Sequence, residues 1–479
     1  MRALPAHAMT SDGARLLLVV ADGVRPDVLE EEIAAGRAPT IAALQARGGS
    51  YTITSSFPSV TGPAYVPFMM GRNPGDVGMP GLRWFDRTRT LRWAPAAARS
   101  YAGIDIWHAD RDVSRDAPTL LELARPSLAG MSMLGRGASL GNVGRSAMWC
   151  IRAAIPHFRG DTLGWRRVEQ AATNAFLARF ARERPRVSVL AITSPDKFSH
   201  AFGSRSESVR AAIADIDSAI ARARHLAHEG GWLDTLRVWL VGDHGHAPVE
   251  RHEDLHGWLE AEGHLVLCHP QLTVRNADIA LMVGGNAMAH LYLDPSQRTR
   301  GSWGVHAPRW TTLHDALVAR ESVDLVAVSL GPDRVRVSHA DRGSAELSRR
   351  DARLSYVADA GDPLGLGGTL RGLDACAAWM ASSTTSYPDA LVQLVSLLGS
   401  SRSGDIVLSA ADGWDFRARF EPVDHVSTHG ALLRDHMLVP LVLDGPAARL
   451  PMRTTDVVPS ALSALGIETD AAFDGRSFV

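Results

Sequence analysis

The chain has 479 residues, with 50 Lys+Arg against 52 Asp+Glu and a formal charge of −2. At roughly 150 residues per domain, this length predicts about three domains or one large α/β domain with insertions. Apolar residues make up 46% and charged residues 21%, which excludes a disordered or fibrous chain, and the balanced charge argues against a nucleic-acid partner.

Met1–Arg15 holds Pro5, His7 and Asp12 and no apolar core, and no run in the chain is long enough to span a bilayer. The expectation is a soluble, cytoplasmic protein. Leu16–Ala21 is the first long apolar run; it has strand length and ends at Asp22-Gly23. Helix-period spacing covers Arg167–Ala181 and Ser206–His228, and unbroken apolar runs recur at Val187–Ile192 and Leu236–Val241. Leu438–Leu443 is a further strand, which Pro440 predicts to lie at an edge or bulge. Strands alternating with helices predict a doubly wound, mostly parallel α/β sheet with helices on both faces.

The stretch 265–404 has shorter strand candidates (Ala289–Leu293, Leu325–Val328, Arg334–Val337) and glycine turns at Gly284-Gly285-Asn286 and Gly365–Gly368. It reads as an α+β cap inserted into a core of 1–264 and 405–479, beside the ligand.

Ligands of doubly wound sheets gather beyond the carboxyl ends of the strands. There the chain places Asp22, then Ser194-Pro195-Asp196 with His200 four residues on, then Asp243-His244-Gly245. Ser427-Thr428-His429-Gly430 precedes the last strand. A single Asp at a strand end is often only a helix cap, but three of them with histidines make six ligand candidates: Asp22, Asp196, His200, Asp243, His244 and His429. That is the inventory for two metal ions of three ligands each. Nearby His246, His425 and Asp424 either orient those ligands or simply pack. The three cysteines (Cys150, Cys268, Cys376) form no CxxC pair, so neither a disulfide framework nor a thiolate site is expected, whereas 19 histidines are many.

In Phe57-Pro58-Ser59-Val60-Thr61-Gly62-Pro63, Thr61 stands where a helix should begin, as a nucleophile activated by metal or as a plain N-cap. His252-Glu253-Asp254-Leu255-His256 matches the HExxH zinc-protease pattern, but no apolar helical stripe leads into it.

In this order the motifs resemble the alkaline phosphatase superfamily, and within it the type I phosphodiesterase/nucleotide pyrophosphatase family. The matching stretches are Ala21–Gly23, Phe57–Pro63, Ser194–Gly203, Val241–Gly245, Ser427–Gly430 and the tail Thr454–Ile467 with Asp474–Ser477. They span the chain except for the insertion. The resemblance implies a zinc ion held by Asp22, Asp243 and His244, touched by the Thr61 oxygen, and a second held by Asp196, His200 and His429. It also implies a phospho-threonine intermediate at Thr61 and a small-molecule phosphate ester as substrate, with the diester or pyrophosphate bond the typical target. Phosphomonoesters and phosphonates are the neighbouring possibilities, and a metal-stabilised binding protein without turnover is the alternative of another class.

Two departures qualify this. The family commonly carries Asn three residues after the nucleophile and His next; here these are Ala64 and Tyr65. Tyr65, Arg83 or Arg87 would then supply the missing donor, unless the arginines are only surface loop. A sulfatase is disfavoured, because the Cys/Ser-x-Pro-x-Arg motif is absent at Thr61.

Overall fold

The computed structural model describes residues 13–89, 97–271, 273–417 and 424–479, so most of the Met1–Arg15 stretch lies outside the described residues. The first apolar run forms strand β1 (Arg15–Ala21). Six more strands complete its sheet: β2 (Ser50–Thr54), β3 (Ser127–Gly130), β4 (Asn142–Val143), β5 (Val187–Ile192), β6 (Leu236–Gly242) and β7 (Leu438–Val442). Their order is β2-β7-β6-β1-β5-β3-β4. Strands β6, β1, β5, β3 and β4 are parallel, whereas β7 runs antiparallel to both β6 and β2.

Successive β1 side chains point to opposite faces, and both faces are covered. Leu16, Leu18 and Val20 pack with helices Tyr65–Met70 and Val457–Ala464, while Leu17, Val19 and Ala21 pack with Thr162–Glu183 and Glu207–Glu229. This is the doubly wound, mostly parallel α/β sheet expected from the sequence.

Strand β7 is not the edge that Pro440 suggested. The edge is β2, and β7 lies inside it. Pairing of β7 with β6 is confined to Leu441 and Val442, past Pro440, whose nitrogen has no proton to give a ladder.

A second, nine-stranded sheet begins at Val266 and takes Ile406–Ala410 as an interior strand. Helix Trp303–Val318 covers one of its faces and helix Ala390–Gly399 the other. The cluster under the second helix includes Phe57 and Val60, from the loop that carries Thr61. Arg453, near the C-terminus, reaches Asp389 at the head of that helix through two hydrogen bonds of 2.7 and 2.6 Å, with both side chains buried. Arg453→Met strands the Asp389 carboxylate in the interior, and chemical denaturation should show a loss of about 3–5 kcal/mol.

Candidate active site and metal centre

Register decides where the chemistry gathers. Ala21, the last residue of β1, pairs with Ile192 of β5 on one side and Gly242 of β6 on the other. Asp22, Thr193 and Asp243 therefore leave the sheet at one level. Beyond Thr193, buried Glu169 accepts hydrogen bonds from the backbone N–H and hydroxyl groups of Thr193 and Ser194. These bonds fix the start of helix Ser194–Phe202 and hold Asp196 and His200, one turn apart, with Nε2 3.3 Å from Asp196 Oδ1. Gly23 has φ +69°, and a Cβ there would stand 3.0 Å from the Asp196 Cα, so only glycine lets the two backbones meet this closely. A Cβ on Gly245 would lie 2.1 Å from the Asp435 carbonyl oxygen.

Three imidazoles are held through Nδ1. Nδ1 of His200 donates to the Ser427 carbonyl (2.9 Å), Nδ1 of His429 to the Ser59 carbonyl (2.9 Å), and Nδ1 of His244 to the Gly245 carbonyl (3.1 Å). Each bond holds the Nδ1 proton and turns Nε2 inward, so Nε2 is the atom that would bind a metal once it gives up its own proton. Ligand atoms of Asp22, Asp243 and His244 lie within 4.8 Å of one another, as do those of Asp196, His244, His246 and His429.

His246 enters the second group directly: its Nε2 donates to Asp196 Oδ1 at 2.9 Å, and its Nδ1 lies 3.1 Å from Ser427 Oγ. Burial lowers its pKa to about 3, so it is neutral. The sequence leaves it, with His425 and Asp424, as a residue that either orients the ligand candidates or packs, and its bond to Asp196 fits the first of these.

Burial, with the neighbouring charges of Asp243 and Asp196, pushes the Asp22 carboxyl well above its usual range, and burial raises Asp243 too. Asp196 goes the other way: burial opposes it, but the charge and hydrogen bonds of His200, with His246 and His429, hold it low. Asp243 Oδ2 is buried and accepts no hydrogen bond. Such an orphaned oxygen among three buried carboxylates and inward-turned imidazoles fits divalent cations.

Thr61 lies in a turn; the helix begins four residues later, at Tyr65. Its side chain caps nothing. Thr61 Oγ1 stands 3.1 Å from His244 Nε2 and 3.4 Å from Asp22 Oδ1.

The expected substrate-binding residues are placed differently. Tyr65 is buried and its hydroxyl donates to Asp22 Oδ2 at 3.3 Å, so it supports a ligand candidate from behind. Arg87 is committed to buried Asp405 and to the carbonyls of Leu293, Asp294 and Gln297. That network fills both terminal nitrogens, so Arg87 holds the second sheet instead of offering a fork to phosphate.

Arg83 stands in a short strand, 3.4 Å from the Val283 carbonyl. Its charge, after that of Lys197 and burial, brings His157 down to about 3. Lys197 therefore stands beside a neutral His157, its Nζ 3.3 Å from Nδ1 and 5.4 Å from the centre of the Trp165 ring. Its charge also reaches Asp22. The sequence prints this lysine in Asp196–His200 without marking it as a functional group.

The HExxH match divides between a strand (Ala247–Glu253) and a helix (Leu255–Ala261), and its histidines face Asp415 and Glu260. His425 lies against His200, ring centres 4.0 Å apart, and close to Asn286, while Asp424 pairs with Arg417.

A sequence profile of the type I phosphodiesterase/nucleotide pyrophosphatase family matches residues 16–432. The chain belongs to this family. Family membership makes it a hydrolase of phosphoric ester bonds, within the alkaline phosphatase superfamily. Its fold is similar to that of an inactive variant of murine ectonucleotide pyrophosphatase/phosphodiesterase 5 in complex with AMP, at 15% identity and a TM-score of 0.59, over 97% of this chain and 98% of that one. The human counterpart gives 15% and 0.59 over 96% and 97%. Phosphonoacetate hydrolase from Sinorhizobium meliloti 1021, in complex with phosphonoformate, gives 15% and 0.57 over 95% and 96%. No curated protein matches. Among the described residues no helix is long and apolar enough to cross a membrane.

Removing the hydrogen bond that orients Asp196 should weaken the metal site. In His246→Ala the affinity of the Asp196 group for a divalent cation should fall about 10–100-fold, read by metal titration against a competing chelator.

Proposed function

We propose that the protein is a two-zinc phosphodiesterase in which Thr61 is the nucleophile. The observation that carries this reading is the position of Thr61 Oγ1, beside His244 Nε2 and Asp22 Oδ1 in a family of phosphoester hydrolases. Asp22, Asp243 and His244 would hold one ion, and Asp196, His200 and His429 the other, with His246 orienting Asp196. When bound, the ions would lower the pKa of the threonine hydroxyl and of water and neutralise phosphoryl charge.

Thr61 Oγ1 attacks phosphorus in line, the bond to the leaving oxygen breaks, and a phospho-threonine forms. Water then attacks that phosphorus from the opposite side and returns the Thr61 hydroxyl. Lys197, whose charge reaches Asp22 and which stands beside His157 and Trp165, would supply the positive charge for a phosphoryl oxygen that the missing Asn leaves unattended at Ala64. The second sheet shapes the leaving-group pocket. Its Gly284–Asn286 turn meets His429 through a backbone bridge, and Asn286 Nδ2 lies 3.0 Å from His425 Nδ1.

Lys197 favours a second reading, a phosphomonoesterase or phosphonate hydrolase with the same machinery. A dianionic phosphoryl group uses Lys197 better than a diester does, and one similar structure is that of a phosphonate hydrolase. Steady-state hydrolysis of bis(p-nitrophenyl) phosphate against p-nitrophenyl phosphate by zinc-loaded protein separates them, and a higher kcat/KM for the diester is expected. Thr61→Ala should lower kcat at least about a thousandfold with both metals retained; equal rates in variant and wild type would end the catalytic reading. Lys197→Met should raise KM about tenfold.

A further inference from the structure

Helix Ala147–Phe158 carries an apolar stripe on the wrong side for a core. Met148, Ile151, Ile155 and Phe158 recur at helical spacing and are 60%, 60%, 56% and 68% exposed. Leu163, at the start of the next helix, is 59% exposed. The opposite face is the one that packs: Pro156 is buried and His157 reaches Lys197.

The surroundings of this stripe are basic, although the whole chain is slightly acidic. Residues 145–167 hold five arginines and one carboxylate, Asp161. Arg145 and Arg166 pair with Asp110 and Asp215, while Arg152, Arg159 and Arg167 are exposed. Apolar residues along one face with arginines at the margin match a helix lying in the headgroup plane of a bilayer.

We propose that helix Ala147–Phe158 docks the protein on an anionic phospholipid membrane. The apolar stripe enters the acyl boundary, and Arg152, Arg159 and Arg167 meet the headgroup phosphates. Charge selects this occupant over a second copy of the chain. A two-fold contact through the stripe would bring the basic margin of one copy, with Arg152 and Arg159, against the basic margin of the other, because such an interface pairs one patch with itself. His157, on the packed face, ties the docking helix to Lys197, one residue from Asp196. The membrane surface therefore lies next to the site, and binding to it is independent of whether the bond cleaved is a diester.

Co-sedimentation of the full zinc-loaded chain tests this, with vesicles of phosphatidylcholine alone and with about one-third phosphatidylserine. Binding to the anionic vesicles, weakening with salt, is the expected result. The variants I151E/F158E and R152E/R159E should each bind at least about tenfold more weakly. Both should melt as wild type does and hydrolyse a soluble aryl phosphodiester equally well, so failure of the proposed activity shows separately. Three results overturn the proposal. One is wild type that stays in the supernatant with anionic vesicles. Another is I151E/F158E protein that binds as tightly as wild type. The third is sedimentation of wild type as a dimer that I151E/F158E dissolves, without vesicle binding.

Discussion

Three carboxylates leave one edge of a sheet together, and the rest of the site follows from the need to live with that. Asp22, Asp196 and Asp243 are all buried, two of them beyond strands that end in register with β1 and the third two residues inside a helix pinned by Glu169. Burying so much like charge is costly unless positive charge joins it. Carbonyl groups hold His200, His244 and His429 through Nδ1 with Nε2 turned toward the carboxylates, and divalent cations from solution fit the charge that remains. A fold that demands cations at the mouth of its sheet is ready for substrates that carry negative oxygen.

Much of this was legible in the sequence because each signal was local. Unbroken apolar runs fix central strands, and the residues just past them must emerge at the sheet edge, so Asp22, Asp196, Asp243 and His244 could be located before any coordinates. The family resemblance rested on the same short stretches, and the profile match over residues 16–432 agrees with it.

What was not legible depended on partners far away in the chain. Arg87 looks like a phosphate fork in Leu82–Arg87, but its partner Asp405 lies 318 positions on. Strand β2 is polar enough to pass for a loop, yet it forms the sheet edge by pairing with β7. Lys197 sits inside a quoted motif, but its place beside His157 and Trp165 needs two helices that approach from elsewhere.

Phe57 and Val60 belong to the same hydrophobic cluster as Leu325, Ala327 and Val407 of the second sheet. The loop that carries Thr61 is thus seated on the second sheet and cannot be treated as property of the first sheet alone. A different second sheet grafted onto this scaffold would have to bring matching apolar shapes for these two side chains. Change in such a chain is therefore steered away from the seat beneath Thr61 and also from the Gly284–Asn286 turn, where a Cβ on Gly285 would stand 2.7 Å from the His429 carbonyl oxygen.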